Sequence, residues 1–174
     1  MPHLSNNILL GVVVIGLVAF FLVTAFISFA IKIVSENKRI VLFRAGRSLG
    51  SRGPGIVTII PLIDMAAWVD LQQTYHFRYS SVPTSDNRKI SFQVNLEGKI
   101  IDPEKSVLDV PNLKDALYKV IETEIIDIAR GKKSDQFINL GSWLEDHLKD
   151  VVSRSSRLWG FDVIELTIDD VQQT

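Results

Sequence analysis

Ile90-Ser91-Phe92-Gln93-Val94-Asn95-Leu96-Glu97-Gly98-Lys99-Ile100 decides the fold class of this chain. Ile90, Phe92, Val94, Leu96 and Ile100 alternate with Ser91, Gln93, Asn95, Glu97 and Lys99. A period of two describes a strand with one buried and one wetted face. Immediately downstream the apolar period lengthens to about 3.6, the spacing of an amphipathic helix. Asp102-Pro103 opens a short helix, with Asp as cap and Pro in the first turn. A longer helix follows Asn112, its stripe formed by Leu113, Ala116, Leu117, Val120, Ile121, Ile125 and Ile128, with Gly131 as its stop. Ser142 and Glu145 have capping-box spacing and predict a third helix carrying Leu144, Leu148, Val151 and Val152. Gly160 ends it, and Phe161 to Asp170 returns to strand spacing through Ile164, Leu166 and Ile168.

Working toward the N-terminus, Ala66 to Leu71 and Thr74 to Tyr79 are further strand candidates, preceded by the apolar run Ile56 to Ile63. Arg39 to Arg44 reads as a short strand entering a structural turn made by Gly46, Gly50, Gly53, Pro54 and Gly55. Strands, then helices, then a closing strand predict an α+β domain with helices packed on one face of a mainly antiparallel sheet.

One transmembrane helix is expected before this domain. Ile8 to Ile31 runs for 24 residues without a charge. At a rise of about 1.5 Å per residue such a helix reaches roughly 36 Å, enough to cross a hydrocarbon core of about 30 Å with some tilt. A cleaved signal peptide requires a basic leader, and Met1 to Asn7 contains no Lys or Arg. The expected organisation is a tail at 1–7, an anchor at 8–34 and a domain at 35–171, with no C-terminal coiled coil because no heptad run follows Asp170.

No basic residue precedes the anchor, whereas Lys32, Lys38, Arg39, Arg44, Arg47 and Arg52 follow it, opposed only by Glu36. The positive-inside rule then places a short N-terminus outside and the domain on the cytoplasmic side. Lys32, Lys38 and Arg39 are candidate contacts for anionic headgroups. Beyond residue 52 the charge balance is acidic, 13 basic against 19 acidic residues, which argues against a nucleic-acid partner. Zero cysteines rule out disulfides and thiol chemistry.

The sequence offers no constellation for catalysis or metal binding. The glycines between Gly46 and Gly55 lack the spacing of a phosphate cradle, and no Gly-Lys-Ser/Thr follows. His3, His76 and His147 are scattered, without partners at metal spacing. Asp169 and Asp170 lie next to each other on a strand, where pleating sends them to opposite faces. No nucleophile, base and oxyanion donors converge, so neither an enzyme nor a cofactor is expected. The uninterrupted apolar run remains. A buried strand accounts for Ile56, Val57, Ile59, Ile60, Leu62 and Ile63; alternatively part of the run contacts the cytoplasmic leaflet, because Pro61 interrupts a central strand and the anchor holds it near the bilayer.

Glu36-Asn37-Lys38-Arg39-Ile40-Val41-Leu42-Phe43-Arg44-Ala45-Gly46-Arg47, Gly50-Ser51-Arg52-Gly53-Pro54-Gly55 and Pro61-Leu62-Ile63-Asp64 resemble the opening of the stomatin, prohibitin and flotillin domain family, also called SPFH or band 7. Val69-Asp70-Leu71, Val82-Pro83-Thr84, Asp86-Asn87, Asp102-Pro103-Glu104-Lys105, Trp159-Gly160-Phe161-Asp162-Val163 and Ile168-Asp169-Asp170-Val171 continue the likeness in order, in its stomatin-like branch. The resemblance implies a non-enzymatic scaffold that oligomerises at the membrane surface, organises microdomains, and modulates membrane proteins such as a channel or a protease. It also implies membrane contact by the run from Ile56 to Ile63. The family's long C-terminal helices have no counterpart in this sequence, which favours a second reading: an accessory subunit bound to a larger membrane complex through its helix and domain surface. Gly98-Lys99-Ile100 departs from the aromatic residues common there in the family.

Overall fold

A computed structural model describes the backbone of residues 2–173 and the side chains of residues 11–172. Helix α1 spans Pro2–Ala30 and stands clear of the domain, with no part of Gly11–Ala30 buried. Its polar interruptions are satisfied within the helix: Thr24 Oγ1 donates to the Phe20 carbonyl at 2.6 Å and Ser28 Oγ to that of Thr24 at 2.9 Å. Back-bonding of this kind is how hydroxyl side chains are accommodated where water is absent. The expected tail at 1–7 is helical from Pro2 onward, and Met1 lies outside the described residues.

Residues 31–34, expected as the end of the anchor, are instead strand β1, Ile31–Val34. Three β-branched residues around Lys32 suit a pleated edge, and they pair antiparallel with β4, Gly55–Thr58, to make a two-stranded ribbon. A second sheet has the order β3-β2-β5, formed by Arg47–Arg52, Lys38–Arg44 and Asp64–Asp70. A third has the order β6-β7-β8, formed by Gln72–Pro83, Lys89–Ile100 and Phe161–Gln173. Every pairing is antiparallel.

The alternating strand is the centre of the largest sheet. In β7 the residues Ile90, Phe92, Val94, Leu96 and Ile100 are buried. Helices α3, Leu113–Arg130, and α5, Ser142–Ser156, cover that face with Leu117, Ile121, Ile125, Leu148 and Val152, all inaccessible to solvent. Each such side chain contributes about 1.5–3 kcal/mol of transfer free energy. Asp102 caps α2, Pro103–Leu108, as expected, and Asn112 caps α3, its Oδ1 accepting from Asp115 N.

Gly98 explains the departure noted in this strand. A Cβ there would overlap the ring of Phe161 on the neighbouring β8 and approach the Asp162 carbonyl at 2.6 Å. The space that an aromatic side chain would need at position 98 is filled from position 161.

Two local expectations are corrected, and one further element has no counterpart in the sequence reading. The Gly46 to Gly55 segment is not one turn: Ala45 and Gly46, both at positive φ, close a two-residue hairpin, and residues 47–52 form β3. Gly50 sits at a bulge opposite Leu42, so the strand absorbs a glycine without ending. Ser142 does not cap α5. Gly141 takes that position, and the Glu145 carboxylate accepts the Ile168 backbone N–H at 2.8 Å, fastening the helix to β8 rather than to its own first turn. Finally, a five-residue helix α4, Ser134–Ile138, lies between the two long helices. Its start is held by Asp86, which accepts from Ser134 Oγ at 2.7 Å, from Ser134 N at 3.3 Å and from Thr84 Oγ1. These hydrogen bonds hold the Asp86 carboxyl at about 2, well below its ordinary value.

Candidate membrane-contact site

A second, smaller core of Val34, Ile40, Leu42, Val57 and Ile59 lies between the ribbon and the β3-β2-β5 sheet. Two of the six candidate contact residues, Val57 and Ile59, belong to it and face inward. The other four, Ile56, Ile60, Leu62 and Ile63, are exposed. The run thus has both characters because the chain passes from a strand with one buried face into a turn.

The outer face of the ribbon is apolar. Ile33 and Ile56 are cross-strand partners and are 78% and 77% exposed, and Ile31 lies on the same face two residues from Ile33. The N–H of Ile59 donates to the carbonyl of Ala30, the last residue of α1, at 2.8 Å. No linker separates helix from domain, and this face begins where the helix ends.

Beyond β4 the chain turns at Ile60-Pro61-Leu62-Ile63, with the Ile60 carbonyl accepting from Ile63 N at 3.3 Å and Asp64 N at 2.9 Å. Pro61 occupies the turn, and its missing N–H removes nothing from a sheet. Leu62 is fully exposed at a φ of +71°. A left-handed backbone costs a residue with a Cβ about 1–2 kcal/mol, so this position holds a large apolar side chain outward against its own conformational preference.

An ion pair anchors the turn. Arg44 closes β2 and Asp64 opens β5, and their antiparallel register sets them directly opposite. Arg44 Nε meets Asp64 Oδ1 at 2.7 Å and Nη2 meets Oδ2 at 3.0 Å, while Oδ2 also accepts the Ile60 N–H at 2.8 Å. The guanidinium, then the backbone N–H, draw the Asp64 carboxyl down to about 2. Sequence reading did not find this pair; the signal was the charged residue terminating one strand and the acid starting the strand that pairs with it.

The headgroup candidates separate. Lys38 pairs with Asp70 at 3.0 Å, and Arg39 donates to the carbonyls of Glu36 and Lys38 at 2.8 and 2.7 Å. Lys32 is half-buried on the inner side of the ribbon, opposite Val57. Of the turn residues, Gly53 and Pro54 join β3 to β4, which Gly55 opens; a Cβ on Gly53 would lie 2.7 Å from Val34 Cγ1, so the ribbon closes on the small core only with glycine there.

Of the histidines and the aspartate pair, the side chain of His3 lies outside the described residues, and His76, His147 and Asp169 make contacts within the domain. His76 Nδ1 lies 2.7 Å from Asn95 Oδ1, and Asn95 Nδ2 donates to Asp169 at 2.6 Å, on the wetted face of the large sheet. Asp170, at positive φ, occupies the bulge beside it. His147 stacks on Trp143 and meets Glu124 at 2.8 Å. Among the described residues no group of three or more His, Asp or Glu side chains is placed to hold a metal ion.

The family model described as SPFH domain / Band 7 family matches residues 32–174. The chain belongs to that family. Over 148 residues it is 31% identical to a stomatin homolog of Pyrococcus horikoshii, covering 84% of this chain and 56% of that protein. It is 30% identical to human stomatin-like protein 1 over 83% of this chain and 37% of that one, and 26% identical to mouse stomatin over 93% and 59%. The chain spans 55 to 61% of the length of the first archaeal relatives it matches. Its stomatin-like SPFH domain, α+β and antiparallel, directly follows a helix long and apolar enough to cross a membrane. It is a membrane-associated SPFH protein.

Proposed function

We propose that this protein is a non-enzymatic scaffold that self-associates laterally at the membrane surface, organising membrane microdomains or modulating membrane-protein partners such as a channel, a protease or a larger complex. The observation that carries this proposal is the linkerless junction: β1 starts at the residue after α1, and the Ala30–Ile59 hydrogen bond ties the ribbon to the helix end. A domain so mounted moves with its anchor in the plane of the bilayer, where neighbouring copies meet at fixed height. Ile33, Ile56, Leu62 and Ile63 supply apolar contact with the leaflet beneath. The basic residues after the helix, with none before it, support a cytoplasmic domain. Membership of the stomatin-like SPFH family also supports a scaffold role at the membrane.

The test is the native mass of the protein extracted in mild detergent from its own membrane, with every chain in the particle identified. Particles of many copies of this chain support the scaffold. One or a few copies within a complex of other proteins overturn it and make the chain an accessory subunit.

A further inference from the structure

Between the β2–β3 hairpin and β4 lies a cleft of about 480 Å³. Leu42 and Val57 form its apolar floor, Leu49 and Ile56 its walls, and Arg44 and Arg52 its basic groups. The cleft is open and its lining is mixed, apolar side chains standing beside two guanidiniums.

The two guanidiniums differ in what they can offer. Arg44 is already held bidentate by Asp64. Arg52 is exposed and has no carboxylate partner among the described residues, so its charge and forked donors remain available. Arginine recognises phosphate through such paired donors.

Position then selects the source of the phosphate. Thr58 pairs with Ile31, the residue after α1, and lines one end of the cleft, which extends along β4 through Val57 and Ile56. The Ile59 N–H bonds the Ala30 carbonyl, so this end of the cleft adjoins the end of the helix that is long and apolar enough to cross a membrane, and lipid is the phosphate source nearest to hand. We propose that it binds the headgroup of one anionic phospholipid, with the phosphate on Arg52 and the apolar part of the lipid between Leu49 and Ile56. A zwitterionic headgroup brings a second cation next to two arginines and is disfavoured.

The experiment is native mass spectrometry of the full chain in neutral detergent, titrated with phosphatidylglycerol or phosphatidylcholine. The expected result is one phosphatidylglycerol retained per chain, at least about tenfold more tightly than phosphatidylcholine. Arg52→Gln abolishes that preference, Arg52→Lys weakens it partly by losing the fork, and Lys38→Gln on the collar leaves it intact. Both Arg52 variants should melt with the wild type, since no intramolecular partner is lost; if Arg52→Gln melts early, Ile56→Ser on the opposite wall must show the loss of retention instead. Undiminished retention in these variants overturns the site. Equal loss in Lys38→Gln overturns it in favour of diffuse attraction to the collar. Displacement of the lipid by millimolar inorganic phosphate overturns the lipid as ligand and makes the cleft a free-anion site.

Discussion

Replacing Leu62 by glycine should raise the stability of the domain while weakening its hold on the membrane. Leu62 is 104% exposed and its φ is +71°, so its removal takes no packing from either core. Relief of the left-handed conformation returns about 1–2 kcal/mol. The greater freedom of glycine in the unfolded chain takes back about 0.4–1 kcal/mol. The net gain is on the order of 0.5–1 kcal/mol, or about 1–4 °C in melting temperature for a domain of this size. The measurement suits a fragment starting at Ile31, because α1 contributes no residue to either core. In the full chain the same substitution removes about 1.5–3 kcal/mol of apolar burial from the leaflet contact. That corresponds to a roughly ten- to hundredfold smaller population of the inserted turn. The chain has no cysteine, so Ile63→Cys carries a single nitroxide label, and its accessibility to oxygen and to a polar relaxant in nanodiscs reports depth. A fragment that melts no higher with glycine, together with an unchanged label depth, refutes the idea that this turn holds leucine outward for the bilayer.

Other outcomes follow from the same contacts. Asp64 and Asp86 titrate at about 2 in the folded protein against 3.8 ordinarily, so their stabilisation is complete above 3.8 and is lost as pH falls from there toward 2. The Asp64→Asn and Asp86→Asn double variant should melt lower at neutral pH and show a flatter melting profile between pH 4 and 2. Gly98→Ala drives a methyl into the Phe161 ring and should cost about 1–3 kcal/mol, with Phe161→Leu in the same chain recovering part of the loss in denaturant titration. Ile121→Ala, at a position with no solvent exposure, should cost about 2–5 kcal/mol and lower the melting temperature by roughly 5–15 °C. For topology, Leu158→Cys on the exposed 3-10 turn should react with an impermeant maleimide only after cells are opened, whereas labelling of intact cells contradicts a cytoplasmic domain.

Much of the architecture was legible because it depends on local periodicity. The alternation through Ile90 to Ile100, the stripe from Leu113 to Ile128 and the cap at Asp102 depend on neighbours within a few residues, and each matches an element of the structure. Strand β3 escaped because Gly50 and the flanking glycines imitate a turn, and only pairing with β2 shows that the bulge absorbs one of them. The Ser142–Glu145 spacing misled for a related reason: Glu145 has a tertiary acceptor role at Ile168, which outranks its local one. Helix α4 is too short to display a period, and its stability comes from Asp86, 48 residues away in sequence from Ser134.

The sequence by itself determined a charge-free span, the sidedness of its basic flank, the α+β class and the family to which the motifs belong, since each is written in composition or in short-range order. Tertiary structure alone decided how the apolar run divides. Val57 and Ile59 face the small core while Ile56, Leu62 and Ile63 face out, because the ribbon folds over β2 and the turn is held by an ion pair between residues twenty apart. It also decided that Arg44 is paired while Arg52 has no carboxylate partner among the described residues, although the two are indistinguishable along the chain. Hydrophobic patterning reports how many faces an element buries; which partner covers each face depends on chain crossings that bring distant residues together, and those have no local signature.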